Sequence, residues 1–160
     1  MNLDTIQIKS TIKNHIFYSV IVLLIVFTFV FSFFTYFAGK KSVRRTFIFP
    51  SAENGKYIIE YRNLSKNPHQ GDIQFFIDEV LLGSTVERTK LLFTPGTKVL
   101  SCFERGGILY LNLSSDLLQL GDGVVEIKEG IDLLKMNIEQ NFSKIDKAEI
   151  FIEGKSAFEK

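Results

Sequence analysis

The sequence holds few of the residues that most often carry chemistry. With one cysteine, two histidines and no tryptophan in 160 residues, it can form no internal disulfide, and a small scaffold held by cystines is excluded. His15 and His69 do not form a His-x-x-x-His pair, so the common His-based zinc motif is missing. No Gly-x-x-x-x-Gly-Lys-Ser/Thr loop occurs; Gly39-Lys40-Lys41-Ser42 follows an apolar run rather than a strand and reads as a flank, not a phosphate cradle. Excess charge of one sign is lacking too. Nineteen Lys and Arg against 18 Asp and Glu leave +1, which excludes a histone-like basic protein and an acidic disordered chain.

That total conceals a split. Residues 1–45 carry six basic groups (Lys9, Lys13, Lys40, Lys41, Arg44, Arg45) and the single acid Asp4, whereas residues 46–160 carry 13 basic and 17 acidic groups. Between the N-terminal charges lies a long apolar run. From Ile16 to Ala38 only Ser19, Thr28, Ser32 and Thr35 interrupt apolar and aromatic side chains. At about 1.5 Å per residue the run spans roughly 34 Å, slightly more than the roughly 30 Å hydrocarbon core of a bilayer. Tyr18 and Tyr36 fall near its ends, at headgroup level. A cleaved signal peptide has a shorter core and a small-x-small exit, which Tyr36-Phe37-Ala38-Gly39 does not supply, and no cysteine adjoins the span for a lipid anchor. The expectation is an uncleaved membrane helix over 16–38, preceded by a segment at 1–15 and followed by a basic juxtamembrane linker at 39–45. Lys40, Lys41, Arg44 and Arg45 are placed there to meet anionic headgroups, at about 1 kcal/mol each. They outnumber the two lysines on the other flank, which by the positive-inside rule favours a cytoplasmic C-terminal part.

Beyond the linker the pattern is that of one small domain. Thr46–Phe49 and Tyr57–Arg62 flank Asn54-Gly55 and predict a hairpin; Ile73, Phe76, Ile77, Val80 and Leu81 predict an amphipathic helix closed by Gly83. Strands at 97–104 and 108–113 flank Arg105-Gly106-Gly107, a helix at 124–142 carries Ile127, Ile131, Leu134, Ile138 and Phe142 on one face, and a strand at 148–153 ends the series. The order ββαββαβ predicts an α+β domain, with a mixed, mostly antiparallel sheet and two helices on one face. Gly130 costs that second helix about 1 kcal/mol relative to Ala, so packing must hold it.

The segments Phe49-Pro50-Ser51-Ala52-Glu53-Asn54-Gly55-Lys56-Tyr57, Glu60-Tyr61-Arg62, Gly96–Ser101, Gly107–Ser115 and Ile152-Glu153-Gly154-Lys155 resemble, in this order, the landmarks of the GerMN domain, a bacterial sporulation and germination type of envelope domain. The resemblance covers 46–155, with 156–160 as a tail. It implies a small domain in one or two copies, held outside the cytoplasmic membrane by a lipid or a single helix, that serves assembly of envelope complexes rather than catalysis and is similar in fold to ring-building domains. It supplies no catalytic, cofactor or metal residues to carry over. A single copy, the loop Gln119–Gly123 and Cys102 depart from the family pattern.

The expectation is therefore a non-enzymatic, single-pass envelope protein of the inner membrane. Its extracytoplasmic domain mediates protein–protein assembly or self-association, with a link to peptidoglycan or envelope morphogenesis and no cofactor. Two alternatives stand beside it: an anchored hydrolase using His69 or the Ser114-Ser115-Asp116 cluster, and a cytoplasm-facing binding module. Ser114 and Ser115 have no Gly-x-Ser-x-Gly elbow. Cys102 reads as a small, half-buried strand residue, and Asp116, Asp122 and Glu126 lack EF-hand spacing, leaving Asp122 as the expected cap of the second helix. Nucleic-acid binding is disfavoured by the acidic balance of the domain.

Overall fold

The computed structural model describes residues 3–39 and 42–158, with side chains described over 16–37 and 42–158. The chain divides into two compact units, the second beginning at Ser42. The first is one helix, α1 (Leu3–Gly39). Its stretch Ile16–Phe37 has a mean hydropathy of 2.7 and is long and apolar enough to cross a membrane. The Thr28 hydroxyl donates to the carbonyls of Leu24 and Ile25, and that of Thr35 to Ser32. Such back-bonding satisfies polar groups within the helix itself, as a segment in hydrocarbon requires.

The second unit is α+β, in the predicted order with one short strand added. It comprises β1 (Ser42–Pro50), β2 (Tyr57–Ser65), α2 (Asp72–Leu82), β3 (Val99–Arg105), β4 (Ile108–Leu113), α3 (Ile127–Asn141), β5 (Lys147–Ile152) and β6 (Lys155–Ser156), with a 3-10 turn at Ser115–Leu118. The strands form two sheets rather than the expected one. β1 and β2 make an antiparallel ribbon, and β3-β4-β5-β6 make a mixed sheet in which β4 and β5 run parallel. One edge of the ribbon, that of β1, is closed by other parts of the domain. Thr46 and Ile48 give their main chain to Asn141 and Asn137 of α3, while Pro50 and Ala52 bond Lys90 and Arg88. No strand can join there.

The core follows the predicted periodicities. Leu109, Leu111 and Leu113 alternate inward along β4 and meet Phe76, Ile77 and Val80 of α2 and Ile131, Leu134 and Ile138 of α3. α2 lies against β3, α3 against β5, and the helices touch one another, so both cover this face. The opposite face carries a ladder of Phe103, Tyr110 and Phe151, with ring centroids 5.1 and 6.5 Å apart. The β3–β4 turn uses Gly106 and Gly107, both at positive φ (58° and 78°), the conformation a two-residue hairpin of right-handed twist demands.

Several boundaries differ from expectation. β1 begins at Ser42, so Arg44 and Arg45 are strand residues, not linker. Helix α3 begins at Ile127 and its N-cap is Glu126, not Asp122. Residues 123–125 instead bond the main chain of Leu91, which holds that segment extended. At the other end Ser156 belongs to β6 and Ala157 N–H donates to Ile150, so the expected tail is partly folded.

Candidate interaction surface

The side chains that could serve a hydrolase are not assembled. His69 sits exposed in the turn before α2, and no hydrogen bond joins it to Ser114, Ser115 or Asp116. Ser114 Oγ donates to Asp116 Oδ2 at 2.8 Å and accepts Lys98 N–H at 3.0 Å; Ser115 N–H and Oγ both donate to Glu153 Oε1. These hydroxyls fasten the end of β4 to its neighbours. Asp122 lies exposed in the turn before α3.

Cys102 is half-buried on β3 and lines an open groove of about 440 Å³ with Asp72, Ile73 and Glu104. Burial, assisted by the nearby negative charge of Asp78, pushes its thiol up to about 11 from 9.0. The thiolate is the reactive form. At pH 8 the native protein is accordingly expected to react with a disulfide reagent about 100-fold more slowly than the urea-unfolded chain, because two pH units separate the thiolate fractions; equal rates would contradict the burial.

Of the basic residues assigned to headgroups, Lys40 and Lys41 lie outside the described residues. Arg45 is taken up by the fold: Nη1 donates to the Asn141 carbonyl at 2.7 Å and the guanidinium lies 4.2 Å over the Phe142 ring. Arg44 is exposed and lies 4.3 Å over Tyr61.

The β1–β2 ribbon is the more informative region. On its inner face Arg62 covers Phe47 (4.6 Å from ring centroid to guanidinium carbon) and pairs with Glu60 at 2.8 Å and Glu79 at 3.4 Å, while Nη2 donates to the Gly83 carbonyl. Glu60 also accepts from Ser84 and Thr85. Together these tie β2 to the end of α2. The hydrogen bonds from Arg62, with those of Thr85 and Ser84, outweigh burial and hold the Glu60 carboxyl at about 2 rather than 4.5. Since the folded value is the lower one, the stabilisation is fully present above about pH 4.5 and lost as pH falls toward 2. Glu60→Gln is expected to lower stability at pH 7 and to flatten the acid limb between these values, read by urea midpoints across pH. An unchanged acid limb would refute this role.

The outer edge of β2 carries no such ties. Because Thr46 and Ile48 turn their main chain to α3, the alternation of an antiparallel ladder turns Arg45, Phe47 and Phe49 toward β2, opposite Arg62, Glu60 and Ile58. The N–H and C=O groups of Tyr57, Ile59, Tyr61 and Asn63 therefore point away from β1, and no described main chain meets them. Tyr57, Ile59 and Tyr61 are also 52, 58 and 57% exposed. An unpaired main chain beside exposed apolar side chains is what strand addition uses. The alternation Tyr-Ile-Ile-Glu-Tyr-Arg was legible as a strand; that its second edge stays bare was not, since only the Asn137 and Asn141 contacts fix which edge of the ribbon is closed.

No curated protein matches the sequence. Among solved structures, the tandem GerMN domains of the sporulation protein GerM from Bacillus subtilis match with a TM-score of 0.58 at 16% identity, over 72% of this chain and 40% of that one. The first GerMN domain of the same protein matches with a TM-score of 0.57, also at 16% identity, over 71% of this chain and 85% of that one. The chain thus spans less than half the length of the tandem protein, and at this identity the likeness is one of fold. Residues 36–158 match the Germane family, described as sporulation and spore germination. With three-quarters of its length in that match and a GerMN fold behind an apolar helix, the chain belongs to the Germane family.

Proposed function

We propose that this chain is a single-pass protein of the bacterial cell envelope, anchored in the inner membrane by α1, whose GerMN-type domain lies on the extracytoplasmic side and binds proteins rather than catalysing a reaction. The bare, apolar edge of β2 carries this reading, because a soluble domain with no partner would gain nothing from leaving such an edge open. The sporulation function of the Bacillus subtilis relative and the anchor-like helix support an envelope setting, with envelope morphogenesis or peptidoglycan-linked assembly as the process served. Engagement of Ser114 and Ser115 in structural bonds, and the raised Cys102 thiol, leave no prepared nucleophile among these groups. Lys40, Lys41 and Arg44 are the headgroup contacts in this reading; Arg45 is already committed to Asn141.

The excess of basic residues after the span favours a second reading, with the domain in the cytoplasm. Protease protection separates the two. With an epitope after Lys160, intact spheroplasts are expected to lose the tag to added protease; protection until lysis would sink the extracytoplasmic assignment and support the other.

A further inference from the structure

The turn that joins β1 to β2 is exposed from Ala52 to Lys56, yet its frame is fixed. Ser51 N–H donates to the Lys56 carbonyl at 2.7 Å, Ala52 N–H to the Arg88 carbonyl at 2.8 Å and Glu53 N–H to Ser51 Oγ at 3.2 Å. Lys56 N–H donates to the side chain of Asn54, reaching Oδ1 at 3.1 Å. Among the described residues, no hydrogen bond engages the Gly55 N–H or Asn54 Nδ2. Gly55 has a φ of 63°, and nothing lies within 4 Å of the place a Cβ would take. Asn54 is also the one asparagine in the sequence with glycine after it. Leucine follows Asn2, Asn63 and Asn112, and histidine, proline, isoleucine and phenylalanine follow Asn14, Asn67, Asn137 and Asn141.

We propose that Asn54 is a site of spontaneous covalent modification, closed to a succinimide by Gly55 and opened by water to aspartate and isoaspartate. Hydroxide takes the proton of the Gly55 main-chain nitrogen, which attacks Asn54 Cγ. The N–Cγ bond forms, the Cγ–Nδ2 bond breaks, and Nδ2 takes a proton from water and leaves as ammonia. Water then cleaves one of the two ring C–N bonds. Cleavage at Cγ gives aspartate; cleavage at the Asn54 main-chain carbonyl gives isoaspartate, with the chain running through Cγ. Water and hydroxide are the only reagents. Three features of the turn assist the first step. The Lys56 N–H already sits on Oδ1, where negative charge gathers as the nitrogen adds. The attacking nitrogen has no hydrogen bond to surrender. The missing side chain of Gly55 leaves its approach unobstructed, and attacker and target are held on neighbouring residues. The isoaspartyl product adds one atom to the main chain inside the turn that the Ser51–Lys56 bond closes, next to the terminal Pro50–Tyr57 pair of the ribbon.

Ageing of the full, detergent-solubilised chain at pH 8, followed by tryptic peptide mass analysis, tests this. The peptide Thr46–Lys56 is expected to gain the mass of an amide-to-acid exchange at least about tenfold faster than the peptides that carry Asn63 and Asn112, where leucine crowds the attacking nitrogen. The same peptide is expected to become a substrate for an isoaspartyl methyltransferase. Isomerisation at Asp122-Gly123 would bring no mass gain and falls in a different peptide, so it cannot imitate the result. Asn54→Gln keeps the exposed amide but must close a larger ring, and is expected to slow conversion at position 54 by at least about tenfold with an unchanged urea midpoint. The Lys56 donor is fixed on Oδ1 only in the folded turn, so the native chain is expected to convert at Asn54 no more slowly than the guanidinium-unfolded chain. Slower conversion in the native chain, conversion at Asn63 or Asn112 equal to that at Asn54, or a mass gain without methyltransferase labelling of Thr46–Lys56 overturns the inference.

Discussion

Replacement of Asn137 by leucine is expected to remove a large part of the structure's stability, although leucine is a better helix former and of similar size. Asn137 is fully buried and uses nearly all of its bonding capacity: Oδ1 accepts Ile48 N–H at 2.8 Å, and Nδ2 donates to the carbonyls of Ile48 and Leu133, both at 2.9 Å. The leucine would leave the Ile48 N–H and C=O in the core with no partner and no room for water. Each such group costs about 1–3 kcal/mol, so a loss of about 3–5 kcal/mol is expected, against a total of about 5–15 kcal/mol for a domain. Urea unfolding of the detergent-solubilised chain measures it. Asn137→Asp separates bonding from packing: it keeps the acceptor for Ile48 N–H but turns a carboxylate toward two carbonyls. Burial without a donor raises that acid's folded pKa, so the variant should regain stability as pH falls. Asn141 is only partly buried, and Asn141→Ala should cost less, about 1 kcal/mol. A leucine variant within about 1 kcal/mol of the parent would show that the helix holds β1 by packing alone, contrary to this account.

The same asparagines mark where sequence reasoning stops. Spacing located the strands and helices because each needs only its own apolar side chains to declare its period: Leu109, Leu111 and Leu113 fix β4 and its inward face, and Ile131, Leu134 and Ile138 fix the buried stripe of α3. Asn137 and Asn141 lie on that stripe as polar residues, where periodicity reads them as interruptions. Their role depends on contacts some 90 residues away in the chain. Hence periodicity predicts one sheet where there are two, and it does not distinguish the free edge of β2 from the closed edge of β1. Arg44 and Arg45 mislead in a related way. Their position beside an apolar span suggests a linker, but Val43, Thr46 and the pairing of Arg45 with Arg62 extend β1 back to Ser42. Charge near a membrane is a compositional signal, and it does not reveal that one guanidinium is spent on Asn141 and Phe142.

Gly130→Ala is the second substitution with a large expected effect, and its sign runs against helix propensity. In an exposed helix the change would stabilise by about 1 kcal/mol. Gly130 is buried in the first turn of α3, where its N–H donates to Glu126 at 2.8 Å. A Cβ at this site would collide with the Leu92 carbonyl oxygen and stand 2.9 Å from Phe93 Cε1. The first of these neighbours is main chain. It cannot yield freely, because Leu91 on one side is held by bonds to Gly123 and Val125, and Leu92 and Phe93 are themselves buried. Overpacking of this kind costs about 1–3 kcal/mol or more beyond the propensity gain. The variant should therefore be less stable by urea unfolding, and Lys128→Ala, two residues earlier and exposed, should stay within about 0.5 kcal/mol. Phe93→Leu removes one of the two obstacles and is expected to recover part of the loss in combination, a non-additivity that contact between the sites predicts. A more stable Gly130→Ala protein would mean that α3 can move off the 92–93 segment, and the close approach that lets this helix reach β1 with Asn137 and Asn141 would then not depend on the missing side chain.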